Sequence, residues 1–260
     1  MSIFYERAGN GEPMLLIHGL GGVGRYWDPL LDSFTSSYDV VVVDLPGFGR
    51  SPGLPGDLVS AAALAGALGE LLDELQLADV HVVGHSLGGV VAFELAALGR
   101  ARTVVGLAPA GLWKGESQAA RSRRRLRAVH YAAAVSRPLA RPFVRLTAGL
   151  PFAPLPRGLS AEAALALYDA YSSAPGFEPV LRGVTNAPFT KADRVTVPVT
   201  VVFGKRDTVI LREDQRRDRL PAHTEWIEIP GAGHNVPWEK PKDILRTVTQ
   251  TTGGEHAGHY

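Results

Sequence analysis

Six short runs of consecutive apolar residues, rich in β-branched side chains, recur along the chain and end in turns that contain Gly or Asp. A strand buried on one face alternates apolar and polar residues, whereas a continuous apolar run is typical of a strand buried on both faces. We therefore expect buried strands at Met14–Ile17, Val40–Val43, Val80–Val83, Thr103–Leu107, Val199–Phe203 and Trp226–Ile229.

Between several of these runs the apolar positions follow a helical period. Ser60 can cap a helix, and the residues behind it form one apolar stripe of Leu64, Leu68, Leu71, Leu72 and Leu75. Strands that alternate with helices along a chain form a mostly parallel sheet that is covered on both faces. The sequence therefore predicts an α/β fold with a mostly parallel central sheet and helices on both faces.

This alternation stops between residues 112 and 193, where Arg, Ala and Pro accumulate without a run of strand length. We expect a helical cap there, above the C-terminal ends of the strands, where open α/β sheets bind ligands. The predicted organisation is a first core part at 1–111, the cap at 112–193, a second core part at 194–250 and a disordered tail at 251–260. A last helix is expected to begin at Pro241, with Ile244, Leu245 and Val248 facing inward.

Composition narrows the possible functions. A chain of 260 residues can bury one full core, and 27 Lys and Arg against 26 Asp and Glu leave a net charge of +1. No overall field then attracts nucleic acid, which is not expected as a partner. The chain has no cysteine, which excludes disulfides, thiolate metal sites and a cysteine nucleophile. Without a signal-peptide pattern or an apolar run of about 18 residues, we expect a cytoplasmic location and no stable membrane insertion.

A serine stands where a strand meets a helix. The motif Gly84-His85-Ser86-Leu87-Gly88 follows the apolar run that ends at Val83 and opens a helical stretch. A serine on so tight a turn is held in strained backbone angles, and the flanking glycines let strand and helix approach closely. We expect Ser86 to project above the sheet as a candidate nucleophile.

A serine nucleophile needs a base, and the base needs a group that fixes its tautomer. Asp207 follows the run that ends at Phe203, and His234 follows the run that ends at Ile229. Both side chains then lie at the same edge of the sheet as Ser86. We interpret Asp207 as the acid and His234 as the base.

The third requirement is a pair of backbone N–H donors for an oxyanion. One candidate is the amide of Leu87, at the N-terminus of its helix. The other comes from the glycine-rich turn His18-Gly19-Leu20-Gly21-Gly22, in which we favour the amide of Leu20 over that of Gly21.

These landmarks together resemble the α/β-hydrolase family. The chain has His-Gly-x-Gly-Gly after an early strand, Asp44-Leu45-Pro46-Gly47-Phe48-Gly49-Arg50-Ser51 after the next, Gly-His-Ser-Leu-Gly-Gly at the strand-to-helix turn, and an Asp and a His after the last two strands. The resemblance covers nearly the whole chain except the insertion. It implies the fold, the Ser-Asp-His triad and a lid, but it does not imply a substrate.

Two other interpretations concern the same segments. Gly19-x-Gly21-x-x-Gly24, with Asp44 after the next strand, also matches a dinucleotide-binding fingerprint. We favour Asp44 as a residue that fixes a turn, because a dinucleotide site leaves Asp207 and His234 without a role. His81 and His85 do not share a helical face, so they are not expected to bind a metal ion. His85 is expected to pack and form hydrogen bonds beneath the turn, with a minor role in the pocket as the alternative.

The insertion contains a basic run and several aromatic residues. The run Arg121-Ser122-Arg123-Arg124-Arg125-Leu126-Arg127 is interpreted as the solvated face of a lid helix, with an acidic substrate or a membrane surface as alternatives. The aromatic residues either line a pocket or hold the lid together, and they are Trp113, Phe143, Phe152, Tyr168 and Tyr171. Of all candidate substrate contacts we select Gly19, His85, Trp113, Phe152 and Tyr168.

The sequence therefore predicts a serine hydrolase that cleaves a carboxylic ester, or a lactone or thioester, of an apolar small molecule through an acyl-enzyme. This chemistry requires no cofactor and no metal ion. Two alternatives remain open: a carbon–carbon bond hydrolase with the same triad, and a protein of this fold that binds a ligand without turnover. The oligomeric state is not determined by these patterns.

Overall fold

The central element of the fold is a seven-stranded sheet in the strand order β1-β3-β2-β4-β5-β6-β7. A computed structural model describes residues 2–140, 143, 160–211, 213 and 215–254. The strands are β1 (Tyr5–Ala8), β2 (Glu12–Ile17), β3 (Tyr38–Val43), β4 (Val80–His85), β5 (Ala101–Leu107), β6 (Val199–Gly204) and β7 (Glu225–Ile229). All six predicted strands are confirmed, and each neighbouring pair among them is parallel.

The sequence patterns missed β1. This edge strand pairs antiparallel with β3, and all four of its residues are exposed. An edge strand with two solvated faces has no apolar run by which it can be recognised. The mostly parallel character predicted for the sheet is therefore confirmed, with one antiparallel strand at its edge.

Helices cover both faces of this sheet. The described α-helices are α1 (Asp28–Thr35), α2 (Ala61–Glu74), α3 (Leu87–Ala97), α4 (Glu116–Ala140), α5 (Ala161–Ser173), α6 (Phe177–Asn186), α7 (Val236–Glu239) and α8 (Pro241–Thr252). The predicted cap of α2 is confirmed, because the Ser60 hydroxyl oxygen accepts a hydrogen bond from the Ala63 N–H at 3.1 Å. That bond satisfies one of the backbone donors left free at a helix start.

The continuous apolar strands supply two separate cores. In β2, Leu15 and Ile17 pack in the core beneath α2 and α3, whereas Met14 and Leu16 pack on the other face with α1 and α8. Side chains that alternate across a strand must both be apolar when both faces are covered. This packing explains why the strands read as uninterrupted apolar runs.

The predicted insertion contains helices α4, α5 and α6, which pack on the core with α2 and α3. Glycines allow close backbone contact at this junction. The Gly176 N–H donates to the Gly47 carbonyl at 2.8 Å, and a Cβ on Gly183 would lie 2.1 Å from the Val59 carbonyl oxygen. The division of the chain into core and cap stays a prediction.

The C-terminal helix α8 begins at Pro241, as predicted, and buries Ile244 and Val248. It continues through Thr252 and ends at Gly253 in the left-handed conformation. The tail predicted at 251–260 therefore starts too early, because Thr251 and Thr252 are still helical, while residues 255–260 lie outside the described part. Among the described helices, none combines the length and the apolar character needed to span a bilayer.

Candidate active site

Ser86 lies at the turn between β4 and α3. Its backbone angles are φ 53° and ψ −109°, a region that residues with a Cβ rarely occupy. Two further bonds hold this conformation: the Ser86 N–H donates to the Leu107 carbonyl at 2.8 Å, and its carbonyl accepts from the Ala110 N–H at 3.0 Å. The turn is thus tied to the residues that follow β5.

The two glycines of the motif permit this turn. A Cβ on Gly84 would lie 2.1 Å from the Gly88 carbonyl oxygen, and a Cβ on Gly88 would lie 2.2 Å from the Ile17 carbonyl oxygen. Both distances are far below van der Waals contact. The expectation that glycines bring strand and helix together is therefore confirmed, and α3 is held directly above the end of β2.

Asp207 is held by the loop that follows β6. Its Oδ1 accepts hydrogen bonds from the N–H groups of Val209 and Ile210 at 2.8 and 3.0 Å. Its Oδ2 lies 2.8 Å from Nδ1 of His234. The carboxylate is buried, and its two oxygens have separate tasks: one fixes the loop and the other orients the imidazole.

The His234 loop crosses back over the sheet. His234 follows β7, which is separated from β4 by two strands, yet the His234 carbonyl accepts a hydrogen bond from Nε2 of His85 at 3.0 Å. The imidazole rings of the two histidines are 4.8 Å apart. Because His85 directly precedes Ser86, the loop brings His234 to the strand-to-helix turn.

His85 is buried beneath the turn, where it stacks on Tyr26 at 4.6 Å. Burial holds the pKa of its imidazole well below the ordinary value, and the neighbouring His234 lowers it further. His85 was predicted to contact substrate, but it does not line the pocket above Ser86. Instead the neutral ring packs beneath the turn and supports the His234 backbone, and only the fold identifies His234 as its partner.

His18 organises the glycine-rich turn. Its Nδ1–H donates to the Gly19 carbonyl at 2.7 Å, and its Nε2 accepts from the Leu45 N–H at 2.9 Å. The ring is fully buried, and burial lowers its pKa. A neutral histidine with these partners fixes the turn that carries the amide of Leu20. A Cβ on Gly19 would lie 3.3 Å from Ser86 Cβ, so this turn lies directly beside the serine.

Asp44 also serves this region as a turn-fixing residue. Its two carboxylate oxygens accept from the N–H groups of Gly24 and Arg50 at 2.7 and 2.9 Å. A carboxylate occupied in this way is not available to a ribose. His81 lies between Thr103 and Glu12, and each of its ring nitrogens is 2.9 Å from a side-chain oxygen of one of them.

A narrow apolar pocket lies above Ser86. Its cavity volume is about 20 Å³, which is close to the space of one water molecule. Core residues and insertion helices α4 and α6 both contribute to its wall, which consists of Leu20, Ser86, Leu87, Ala110, Trp113, Leu126, Val180, Leu181, Val184, Thr185 and Ile210. Sequence reasoning missed the α6 residues, although Val180, Leu181 and Val184 have the i, i+1, i+4 spacing of a helical apolar face.

The aromatic residues of the insertion have different positions. Trp113 lines the pocket, whereas the Tyr168 hydroxyl donates to the Ala133 carbonyl at 2.9 Å and so joins α5 to α4. The prediction that Tyr168 contacts substrate is not supported, because its polar end is used between helices. Phe143 is exposed, Tyr171 packs against Gly21, and Phe152 lies outside the described residues.

Several arginines of α4 bind other parts of the protein rather than solvent. Arg127 forms an ion pair with Glu178, and Arg125 donates to the Thr208 carbonyl, one residue after Asp207. Arg121 and Arg124 are exposed. The interpretation of the run as a solvated face therefore fits only some of its members.

Comparison with known proteins identifies the family. A model described as the Alpha/beta hydrolase family matches residues 14–247. The chain belongs to the alpha/beta hydrolase family. This alpha/beta hydrolase is 33% identical over 204 residues to the epoxide hydrolase EphH of Mycobacterium tuberculosis, covering 74% of the chain and 94% of that relative. It is 42% identical over 97 residues to the pimeloyl-(acyl-carrier protein) methyl ester esterase of Aeromonas hydrophila, covering 37% of the chain and 36% of that relative.

Solved structures agree on the fold. The enol-lactonase of Burkholderia xenovorans LB400 superimposes with a TM-score of 0.76 at 19% identity, covering 96% of this alpha/beta hydrolase and 96% of that chain. A hydrolase of Pseudomonas aeruginosa PA01 gives 0.77 at 24% identity, covering 97% and 94%. The relatives support a hydrolase, and their names span epoxides, methyl esters and enol-lactones. Family membership therefore does not determine which bond is cleaved.

Proposed function

We propose that this alpha/beta hydrolase is a serine hydrolase that cleaves a carboxylic ester, or a lactone or thioester, of a small molecule through an acyl-enzyme. The observation that carries the proposal is the 2.8 Å hydrogen bond between Asp207 Oδ2 and His234 Nδ1. It assigns the proton of the neutral imidazole to Nδ1, because a carboxylate can only accept. His234 Nε2 is then a free base beside the turn that carries Ser86.

The proposed reaction begins when the Ser86 hydroxyl attacks the carbonyl carbon and His234 Nε2 takes its proton. The amides of Leu20 and Leu87 donate to the oxyanion of the tetrahedral intermediate. As the intermediate collapses, His234 returns the proton to the leaving alcohol. Water, activated by the same imidazole, then attacks the acyl-serine and releases the acid.

The electrostatics around His234 favour this sequence. The imidazole becomes positive during attack, and the Asp207 carboxylate stabilises that charge at hydrogen-bond distance. His85, whose ring lies 4.8 Å away, stays neutral because burial lowers its pKa. A second positive charge at that distance would oppose protonation of His234, so the buried neutral state of His85 supports catalysis.

The presence of serine at position 86 also helps to decide which bond this protein cleaves, since the names of its relatives include both ester and epoxide hydrolases. An alkoxide that opens an epoxide forms an ether, which has no carbonyl for water to attack, so the enzyme would stay alkylated. An acyl substrate instead forms an ester with Ser86, which water can release. The identity of residue 86 thus favours acyl transfer over epoxide hydrolysis.

The test is release of p-nitrophenol from acetate, butyrate and octanoate esters by wild type and by Ser86→Ala, with Ser117→Ala as the matched control. Ser117 is exposed and bonds only Gln118 in the described part of the chain. We expect turnover by wild type and Ser117→Ala, and a loss of about 10⁴-fold or more in Ser86→Ala. The chain-length trend then measures the depth of the pocket.

Three outcomes would contradict the proposal. Full activity in Ser86→Ala would exclude Ser86 as the nucleophile. Binding of these esters without turnover by wild type would favour the ligand-binding alternative, and turnover only of vinylogous diketones would favour carbon–carbon bond hydrolysis. Mass spectrometry after incubation with a p-nitrophenyl phosphonate gives a second readout, since the adduct should lie on the peptide that contains Ser86.

A further inference from the structure

A second, larger cavity adjoins the pocket above Ser86. We call it the arginine pocket, and its cavity volume is about 520 Å³. It is lined by Trp113, Gly115, Glu116, Ala119, Ala120, Arg123, Thr185, Asn186, Pro188 and Arg219. Trp113 and Thr185 also line the pocket above Ser86, so the two cavities share a wall. Because the cavity at Ser86 has room for little more than a reacting group, the remainder of a substrate needs space of this kind.

Two arginines give this pocket its charge. Arg123 donates to the Asn186 side-chain oxygen at 2.5 Å, and Arg219 donates to the carbonyl groups of Trp113 and Phe189 at 3.0 and 3.1 Å. All of these acceptors are neutral. Among the described residues no carboxylate forms an ion pair within 4 Å of either guanidinium, and the exposed Asp218 acts on Arg219 only from a longer distance. Burial and the nearby Arg216 lower the pKa of Arg219, and the nearby Asp218 opposes this shift in part.

Trp113 and the start of α4 also line this cavity. The Trp113 side chain is 3% exposed, and its Nε1–H has no hydrogen-bond acceptor among the described residues. Gly115 and Glu116 bring the N-terminus of the 25-residue helix α4 to the wall. The Glu116 carboxylate is exposed there and forms no ion pair with the two arginines.

We propose that the arginine pocket binds a carboxylate at the far end of the substrate, while the scissile carbonyl lies at Ser86. This assignment rests on the proposed ester hydrolysis and makes it more specific. The substrate class is an ester of a dicarboxylic acid whose second carboxylate is free, with an apolar chain between the two ends. Arg123 and Arg219 bind the free carboxylate, and the apolar wall near Ser86 contacts the chain.

The kinetic test compares two methyl esters of equal chain length, monomethyl adipate and methyl hexanoate, which differ in a terminal carboxylate. Wild type should have the higher kcat/KM for monomethyl adipate. Arg123→Gln and Arg219→Gln should each lower the ratio of kcat/KM for monomethyl adipate to kcat/KM for methyl hexanoate about tenfold, because a charge-assisted hydrogen bond to the terminal carboxylate is lost. Arg123→Lys should keep part of the preference, because it keeps the charge. Arg124→Gln is the matched control, since Arg124 is exposed on the same helix.

A binding test separates this proposal from the proposed function. In the Ser86→Ala background, calorimetry should give a lower Kd for monomethyl adipate than for methyl hexanoate, and Arg123→Gln should remove the difference. Equal affinities would overturn the carboxylate site. Hydrolysis of methyl hexanoate without preference for monomethyl adipate would also overturn it and leave ester hydrolysis intact. Selective binding of monomethyl adipate without turnover of either ester by wild type would instead retain the site and overturn ester hydrolysis.

Discussion

Ser86 lies in a backbone conformation that costs about 1–3 kcal/mol for a residue with a side chain. The cost is offset locally: the Ser86 N–H and carbonyl are both bonded to residues at the end of β5 or just after it. Such strain persists only where the surrounding structure over-determines it. Here the surrounding elements are the two strands and the helix that converge on the turn, and they leave the hydroxyl beside the apolar pocket.

Asp207→Asn tests the orienting role of a single oxygen atom. An asparagine Oδ1 can still accept from Val209 and Ile210, so the loop should keep its shape. Its Nδ2–H₂ group would face His234 Nδ1 and force the imidazole proton onto Nε2, which then cannot accept from Ser86. We expect kcat for p-nitrophenyl butyrate to fall about 10³- to 10⁴-fold, the effect of this change in established Ser-His-Asp triads.

The matched control for this change is Asp218→Asn, because Asp218 is exposed and pairs with Arg216 at the surface. It should keep the wild-type kcat. Urea unfolding of both variants should give midpoints near wild type. Retention of more than a tenth of the wild-type kcat in Asp207→Asn would contradict the assigned tautomer.

At the scale of elements, close contact between strand and helix depends on glycine. At Gly84 and Gly88 the backbone around the end of β4 and the start of α3 is so closely packed that no methyl group fits. Glycines on exposed helix faces have no such neighbour: around a Cβ on Gly66, in α2, nothing lies within 4 Å. The same substitution should therefore have opposite effects at these positions.

Gly84→Ala should lower the free energy of unfolding by about 3 kcal/mol, because the added methyl group overlaps the Gly88 carbonyl oxygen and the turn must move. Gly66→Ala should raise it by about 0.5–1 kcal/mol, because alanine loses less backbone entropy in a helix. Urea unfolding measures both. An alanine tolerated at position 84 without loss of stability would contradict the close approach of β4 and α3.

At the scale of the whole molecule, two buried neutral histidines couple folding to pH. His18 and His85 have lowered pKa values, in both cases first because burial disfavours the charged ring. In the unfolded chain both bind protons below about pH 6.5. The unfolded state then binds more protons than the folded state, so acid favours unfolding.

The contribution of these histidines to the free energy of unfolding should therefore be at its maximum above about pH 6.5. Below that pH the free energy of unfolding should fall, by up to about 1.4 kcal/mol per pH unit for each histidine. Urea unfolding at pH 7.5, 6.0 and 5.0 measures this slope. His85→Phe should be less stable than wild type at pH 7.5, because the bond to the His234 carbonyl is lost, but should show a smaller slope. An unchanged slope in this variant would exclude His85 as a source of the pH dependence.

Local patterns were enough for much of this molecule. The six buried strands could be predicted because burial on both faces requires uninterrupted apolar residues. Helix α2 could be predicted because Ser60 is a typical N-cap and the leucines behind it follow the helical period. The turn at Ser86 could be predicted because the need for a residue without a Cβ at position 84 arises from contacts within a few residues of the serine. Asp207 and His234 could be named because each follows a recognisable strand.

Only the tertiary structure decided the rest. The exposed strand β1 is stabilised by pairing with β3, and its sequence has no apolar run that indicates this. His85 and Tyr168 were candidates for substrate contact, but their positions depend on packing against His234 and Ala133, which are distant in the sequence. The wall above Ser86 and the arginine pocket form where insertion helices meet the core. Such sites depend on the relative placement of separate elements, which long-range contacts determine and local residue patterns do not record.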